Sequence, residues 1–152
     1  MSIKSEIRDI VYVMLENMDY YNSIINYPFD NSEFETLKFP ACLFELTENN
    51  CENRNRVLNI SITLDFELWI EITEALKENI YKSADAVDSA LYTAVISSAG
   101  DRVNGLGKYI QKIERGNVEY LSPDHQFIVI KVSYPINFLT KYTDLTTNNL
   151  TT

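Results

Sequence analysis

Histidine and cysteine are nearly missing from this chain: one His and two Cys stand among 152 residues. That is too few for a structural zinc site, which closes a full tetrahedral set of such ligands. Nucleophilic chemistry is equally short of material. His125 follows Asp124, but neighbours in sequence do not face each other usefully, and a Ser122-Pro123-Asp124-His125 turn accounts for both. Cys42 alternates with Phe44 and Leu46 and reads as core, whereas Cys51 sits in a polar stretch with no base beside it. Basic residues are scarce too: 13 Lys and Arg against 22 Asp and Glu, a net charge of −9. Such a balance excludes a chain built to neutralise phosphates and favours solubility and repulsion of nucleic acid. No apolar run approaches the roughly 18 residues of a membrane span. Met1 to Glu6 opens into a charged amphipathic segment without a signal-peptide core, so the cysteines are expected to be reduced in a cytoplasm. There the sequons Asn59-Ile60-Ser61 and Asn149-Leu150-Thr151 carry no meaning.

What is present is ordinary in bulk and informative in pattern. Hydrophobic residues make up 45% and charged residues 23%, as in a soluble globular domain, and the length fits one domain able to bury a core without staples. From Arg56 to Ile72 every second residue is apolar: Leu58, Ile60, Ile62, Leu64, Phe66, Leu68, Ile70, Ile72. Between them stand Val57, Asn59, Ser61, Thr63, Asp65, Glu67, Trp69 and Glu71. A helix would scatter these apolar residues around its circumference, so the period of two predicts one long strand with a buried even face and a wet odd face.

The remaining elements are arranged to cover that even face. Ser2 to Met18 reads as a helix with Ser2 at its N-cap and the stripe Ile3, Ile7, Ile10, Val11, Met14, Leu15, Met18. Asp19 to Phe39 reads as an irregular connection rich in aromatics, among them Tyr20, Tyr21, Tyr27, Phe29 and Phe34, packed on its own sheet or on a neighbouring chain. Pro40 to Glu48 reads as a strand, and the polar run Glu48 to Asn55 as the extended tip of a hairpin. Thr73 to Lys82 is mixed and could hold a helical turn. Ser83 then caps a second helix with the stripe Ala84, Val87, Leu91, Ala94, Val95, Ser98, closed by Gly100. Gly105 and Gly107 fall in a flexible loop. Lys108 to Leu121 reads as a strand interrupted at Glu114-Arg115-Gly116-Asn117, and Gln126 to Phe138 as the last strand, with Pro135 at an edge or beyond its paired part. The expected fold is therefore α+β: a four-stranded, mainly antiparallel sheet with two main helices on one face, one domain over residues 1–139, and a polar arm or tail over 140–152.

Chemistry-bearing motifs fail on inspection. Gly100 to Lys108 resembles a phosphate loop briefly, but Leu106 stands where Lys must follow Gly105, and the segment follows a helix rather than a strand. Asp65, Glu67 and Glu71 share one strand face with no cationic or histidine partner, which fits a solvated or interface face better than an acid–base pair. Trp69, the only tryptophan, stands on that same polar face and needs cover. The expectation is a subunit interface carried by Trp69, Asp65, Glu67 and Glu71, with Tyr27 and Phe29 from the aromatic connection; the competing reading folds that connection over Trp69 within one chain. No catalytic, cofactor or metal residues are expected.

The layout as a whole resembles the tail terminator, or tail completion, proteins of long-tailed bacteriophages. The residues that carry the likeness are the N-terminal helix, the strand Phe39-Pro40-Ala41-Cys42-Leu43-Phe44-Glu45, and the long alternating strand Val57 to Ile72. The Ala-rich helix from Ser83 to Leu91 and the terminal hairpin ending Ile128 to Tyr134 complete it. The likeness covers residues 1–140 in architecture and diffuse pattern; the Thr/Asn-rich segment beyond is not matched. It implies a non-enzymatic virion protein of the neck, assembled in the host cytoplasm. It further implies a homo-oligomeric, hexameric ring that caps the tail tube, ends its growth and meets the head–tail connector or stopper. DNA would pass through without specific binding, and no cofactor or membrane is involved. The acidic balance suits a channel through which DNA slides. The alternatives are another neck or minor tail protein, or a small regulatory or ligand-binding α+β domain; an enzyme ranks last.

Overall fold

The long strand is where the period of two places it. In the computed structural model, which describes residues 3–26, 36–73, 79–122 and 126–141, it runs Val57–Glu71 as β3 and forms the centre of the sheet. Its even residues from Ile60 to Ile70 are all buried, and its odd residues from Ser61 to Trp69 are half-buried. On one side β3 pairs antiparallel with β2 (Ala41–Arg54), on the other with β6 (Phe127–Lys141). The register aligns even faces across all three: Leu46, Leu64 and Tyr134 stand in one row, Phe44, Phe66 and Val132 in the next.

Both helices lie on that even face. Helix α1 (Ile3–Asn17) buries Ile3, Ile7, Val11 and Leu15, a spacing of four that forms one stripe. Helix α2 (Ile80–Gly100) buries Ala84, Leu91 and Val95 in the same cluster. The α+β class and the placement of the helices follow the sequence pattern; the sheet does not.

Among the described residues it has six strands and is mixed, in the order β1 (Ser23–Asn26), β2, β3, β6 and β4 (Lys112–Ile113), with β5 (Val118–Leu121) also pairing β6. Strand β1 (Ser23–Asn26) lies inside the stretch expected to be irregular and pairs parallel with Ala41 to Phe44 of β2. The single interrupted strand expected over Lys108 to Leu121 is two short ones, β4 (Lys112–Ile113) and β5 (Val118–Leu121), both against β6. Between them Gly116 donates its N–H to the Ser133 carbonyl at 2.7 Å, and a Cβ built on Gly116 would itself fall 2.7 Å from that oxygen. Pro135 is thus inside β6, not beyond its paired part. Its carbonyl accepts from the Glu114 N–H at 3.0 Å, so its nitrogen, which has no N–H to donate, faces the same side of β6.

The hairpin tip also differs from expectation. The polar run from Glu48 stays in strand β2 as far as Arg54, and a two-residue turn at Asn55 and Arg56 (φ 51° and 67°) connects it to β3. A bulge between Glu48 and Asn50 shifts the register, so that Cys51 pairs Ile60 and Asn53 pairs Leu58. The two turn residues with positive φ match the mirror-image turns that follow strand twist.

Helix α2 begins at Ile80, so Ser83 lies in its first turn and Asn79 is the cap residue; residues 74–78 lie outside the described part. The helix does end at Gly100. The stop is made by Asp101, whose carboxylate accepts the N–H groups of Val103 and Asn104, both at 3.0 Å. Gly105 and Gly107 pack against the last turn of α2, where added Cβ atoms would meet the Ser98 and Ala99 carbonyls. Residues 140 and 141, assigned to the polar arm, end β6, and Thr140 is fully buried; residues 142–152 lie outside the described part.

Candidate interaction surfaces and a buried polar centre

The odd face of the sheet carries the residues singled out from sequence. Strand alternation sets Glu45 of β2, Asp65 and Glu67 of β3, and Lys131 and Ser133 of β6 side by side on it. Glu67 stands across from Lys131, and Lys131 across from Glu119 of β5. Asp65 accepts a hydrogen bond from the Ser133 hydroxyl at 2.5 Å, Asn137 donates to Asn59 at 3.1 Å, and Asn49 at the bulge donates to Thr63. Asp65 and Ser133 line a depression of about 470 Å³ together with Glu45, Glu67 and Glu119 around Lys131. It is a hydrogen-bonded acidic surface with one cation at its centre.

Toward the other end the odd face turns apolar. Ala41, Leu43 and Val129 are buried, yet belong to the face opposite the helices. Trp69 lies between Ala41 and Val129 in the register. The Trp69 ring stands 5.6 Å from that of Phe127 and 6.5 Å from that of Phe39, and those two are 4.5 Å apart. Trp69 is therefore half-buried with rings of its own chain against it, one of them Phe39, the last residue of the aromatic connection. Glu71 is exposed at the end of β3. Tyr27 and Phe29 lie outside the described residues, as does His125. The structure thus brings together Asp65, Glu67 and Trp69 from the sequence-derived set.

A second concavity, about 580 Å³, opens between α1 and the end of α2. Ile10, Val13, Met14, Met18 and Ala94 form its apolar lining, and Asp9, Asn17, Ser97, Asp101 and Asn104 its polar rim. Nearby on the same helices Tyr12, Tyr92 and Ile96 are exposed.

The third feature was not anticipated. Asp88 sits on the buried stripe of α2, four residues after Ala84 and three before Leu91, and is only 5% exposed. Its Oδ2 pairs with the guanidinium of Arg115, which comes from the gap between β4 and β5 and also stands over the Tyr92 ring, 5.9 Å from its centroid. Tyr120 of β5 donates to Asp85, one turn earlier on α2, at 2.6 Å. Burial pushes the Tyr120 phenol up to about 12, with Asp85 adding to it, and burial pushes Tyr134 up to about 12, with the nearby Asp88 charge adding to it. An acid inside an otherwise apolar helical stripe was the available sequence signal.

Among the described residues, no group of three or more His, Cys, Asp or Glu side chains is placed to hold a metal ion. Cys42 is fully buried and its thiol pKa is pushed well up by that burial, which keeps it protonated and inert. No helix of the described part is long and apolar enough to cross a membrane. No known family model matches the chain, and no curated protein matches it. What the geometry offers is surface for recognition: an acidic sheet face ending in an aromatic cluster, and an apolar groove between two helices.

Proposed function

We propose that this chain is a structural assembly protein, a tail terminator of a long-tailed bacteriophage that caps the tail tube as a ring and presents the surface met by the head–tail connector. The observation that carries the reading is the two-faced sheet. Its even face is covered by both helices, while its odd face keeps Asp65, Glu67, Lys131 and Ser133 half-exposed or exposed beside the Trp69 cluster. A sheet face that mixes tryptophan with hydrogen-bonded charges has the make-up of an interface, an aromatic anchor beside a polar rim. Asp65, Glu67, Glu71 and Trp69 then contribute to contacts between subunits. The net charge of −9 suits passage of DNA without adhesion. In this reading the protein is no enzyme, takes no cofactor, resides in the virion neck, and partners the tube protein and the connector or stopper proteins.

The groove between α1 and α2 favours a second reading, a small regulatory or ligand-binding domain, because an apolar cleft with a polar rim is what small-molecule sites share. Light scattering with negative-stain microscopy on the purified protein separates the two. A ring of uniform size supports the terminator; a monomer whose melting point rises with a metabolite overturns it in favour of the second reading.

A further inference from the structure

The concavity of about 580 Å³ between α1 and the end of α2 does not stop at the start of α1. A second depression, about 290 Å³, continues it there and shares Asp9, Ile10 and Asn104 with it. Together they form one trough along α1 from Glu6 to Met18, about 18 Å at about 1.5 Å rise per residue. Its α1 wall is Ile10, Val13, Met14 and Met18, and the small side chain of Ala94 on α2 leaves the space opposite. The apolar surface is open to water: Val13 is 51% exposed, and Val103, on the rim of the smaller depression, 73%. Covering such surface is favourable in proportion to its area.

The walls narrow what can cover it. They are mainly helices, whose backbone N–H and C=O groups are spent within the helix, so they offer no ladder to an extended chain. A peptide entering here has to satisfy its own backbone, which means a helix. A trough of about 18 Å takes about three turns of one. The thioethers of Met14 and Met18 can mould to its side chains. Charge narrows the partner further. Glu6, Asp9 and Asp101 line the trough against one cation, Lys108, whose ammonium is held over the Tyr109 ring, 5.4 Å from its centroid. A partner with positive flanks is complementary to that rim, and one with negative flanks is repelled by it.

We propose that the trough between α1 and α2 docks an amphipathic helix of a partner protein, apolar at positions i, i+3, i+4 and i+7 and flanked by Lys or Arg. The site lies on the helix layer, opposite the sheet face offered for contacts between subunits. It therefore goes beyond the ring reading and stands whether or not a ring forms.

The test uses the full chain and two libraries of three-turn helical peptides with that apolar spacing. In one the flanking positions are Lys or Arg, in the other Glu. Binders are expected from the basic library alone, and in methyl NMR spectra of the wild type they should shift Ile10, Met14, Met18 and Ala94. Val13→Lys should weaken the selected peptide by about tenfold or more. Tyr81→Lys, the same charge change on an exposed residue at the other end of α2, should leave affinity within about twofold. The absence of binders from both libraries overturns the proposal, and so do equal yields from the two. Equal weakening by the two Lys variants also overturns it, because attraction to overall charge would then explain the binding. A metabolite that shifts the same methyl groups while no peptide does overturns it in favour of a small-molecule site. Should Val13→Lys fail to fold, the wild-type footprint decides: shifts confined to the odd face of the sheet refute the trough.

Discussion

The indole N–H of Trp69 donates to the carboxylate of Glu67 at 2.8 Å, two residues earlier on the same face of β3. The polar edge of the tryptophan is thus tied to the acidic half of the sheet face while its rings rest on Phe127 and Phe39. The residue joins the two halves of that face.

Trp69→Ala is expected to remove the centre of the aromatic cluster and cost the subunit about 2 kcal/mol, less than a fully buried aromatic because Trp69 is only half-buried. Urea unfolding measures this; a midpoint equal to wild type would show that the cluster contributes nothing. The interface role is read separately, by sedimentation velocity at concentrations where the variant remains folded. If the chain forms the proposed ring, that ring should disperse on dilution in the variant, and an intact ring would refute the role of Trp69.

Arg56→Gly is expected to stabilise the protein. Arg56 ends the hairpin turn at φ 67°, a left-handed conformation that costs an L side chain about 1 kcal/mol and glycine nothing. Part of this gain is offset by the greater freedom of glycine in the unfolded chain, leaving about 0.5 kcal/mol. A lowered midpoint in chemical denaturation would show that the Arg56 side chain makes a compensating contact.

The Asp88–Arg115 pair should respond unequally to loss of either partner. Arg115→Leu strands a carboxylate whose side chain is 7% exposed, whereas Asp88→Leu leaves a guanidinium that is already 41% exposed and can turn to water. The first should cost about 2 kcal/mol, reduced from the value for fully buried pairs because solvent reaches the arginine; the second should cost about half as much or less. Equal losses for the two variants would argue against the asymmetry.

Stability should decline at alkaline pH. Burial is the main reason that Tyr109, Tyr120 and Tyr134 are each pushed up from 10.0 to about 12. A raised folded value means that the protonated form is favoured in the fold. The stabilisation is complete below 10.0 and is lost as pH rises through about 12. Near-ultraviolet titration should show phenolate formation coinciding with unfolding in that window. Ionisation of all tyrosines near their ordinary value in a folded protein would contradict it.

Binding to duplex DNA should be negligible at physiological salt, because 13 basic side chains are outnumbered by 22 acidic ones and few counterions can be released. A salt-sensitive micromolar complex in a gel-shift assay would contradict this and would also count against smooth passage of DNA.

The legibility of this fold from sequence was uneven, for physical reasons. Strand β3 was legible because one face is buried and the other wet along its whole length, which writes a period of two into the residues. The helical stripes of α1 and α2 were legible on the same ground. The outer half of β2 was not: Thr47 to Asn53 are exposed, so nothing there selects alternation, and the bulge reverses its parity. Strands β1 and β4 are four and two residues long, too short to carry a pattern. Of the candidate site, Trp69 could be picked out as an aromatic on a polar face, but the rings beside it, Phe39 and Phe127, come from distant segments. Asp88 escaped because a stripe is read by its apolar members, and the arginine that makes its burial tolerable lies 27 positions away.

The central position of β3 has a consequence for the order in which the sheet can form. Its partner β2 is reached across the two-residue turn at Asn55 and Arg56, whereas β6 follows 56 residues after Glu71 and pairs Lys141 with Val57 across 84. Closing the first loop carries a small entropic cost and closing the second a larger one. A nascent chain would therefore hold β2 and β3 as a hairpin, with Ile60 to Ile70 half covered, until the ribosome has released β6. During that interval the free side of β3 is a long row of unpaired backbone N–H and C=O groups beside an apolar face, open to any other strand. In a cell filling with copies of this chain, that interval is when mispairing would compete with folding.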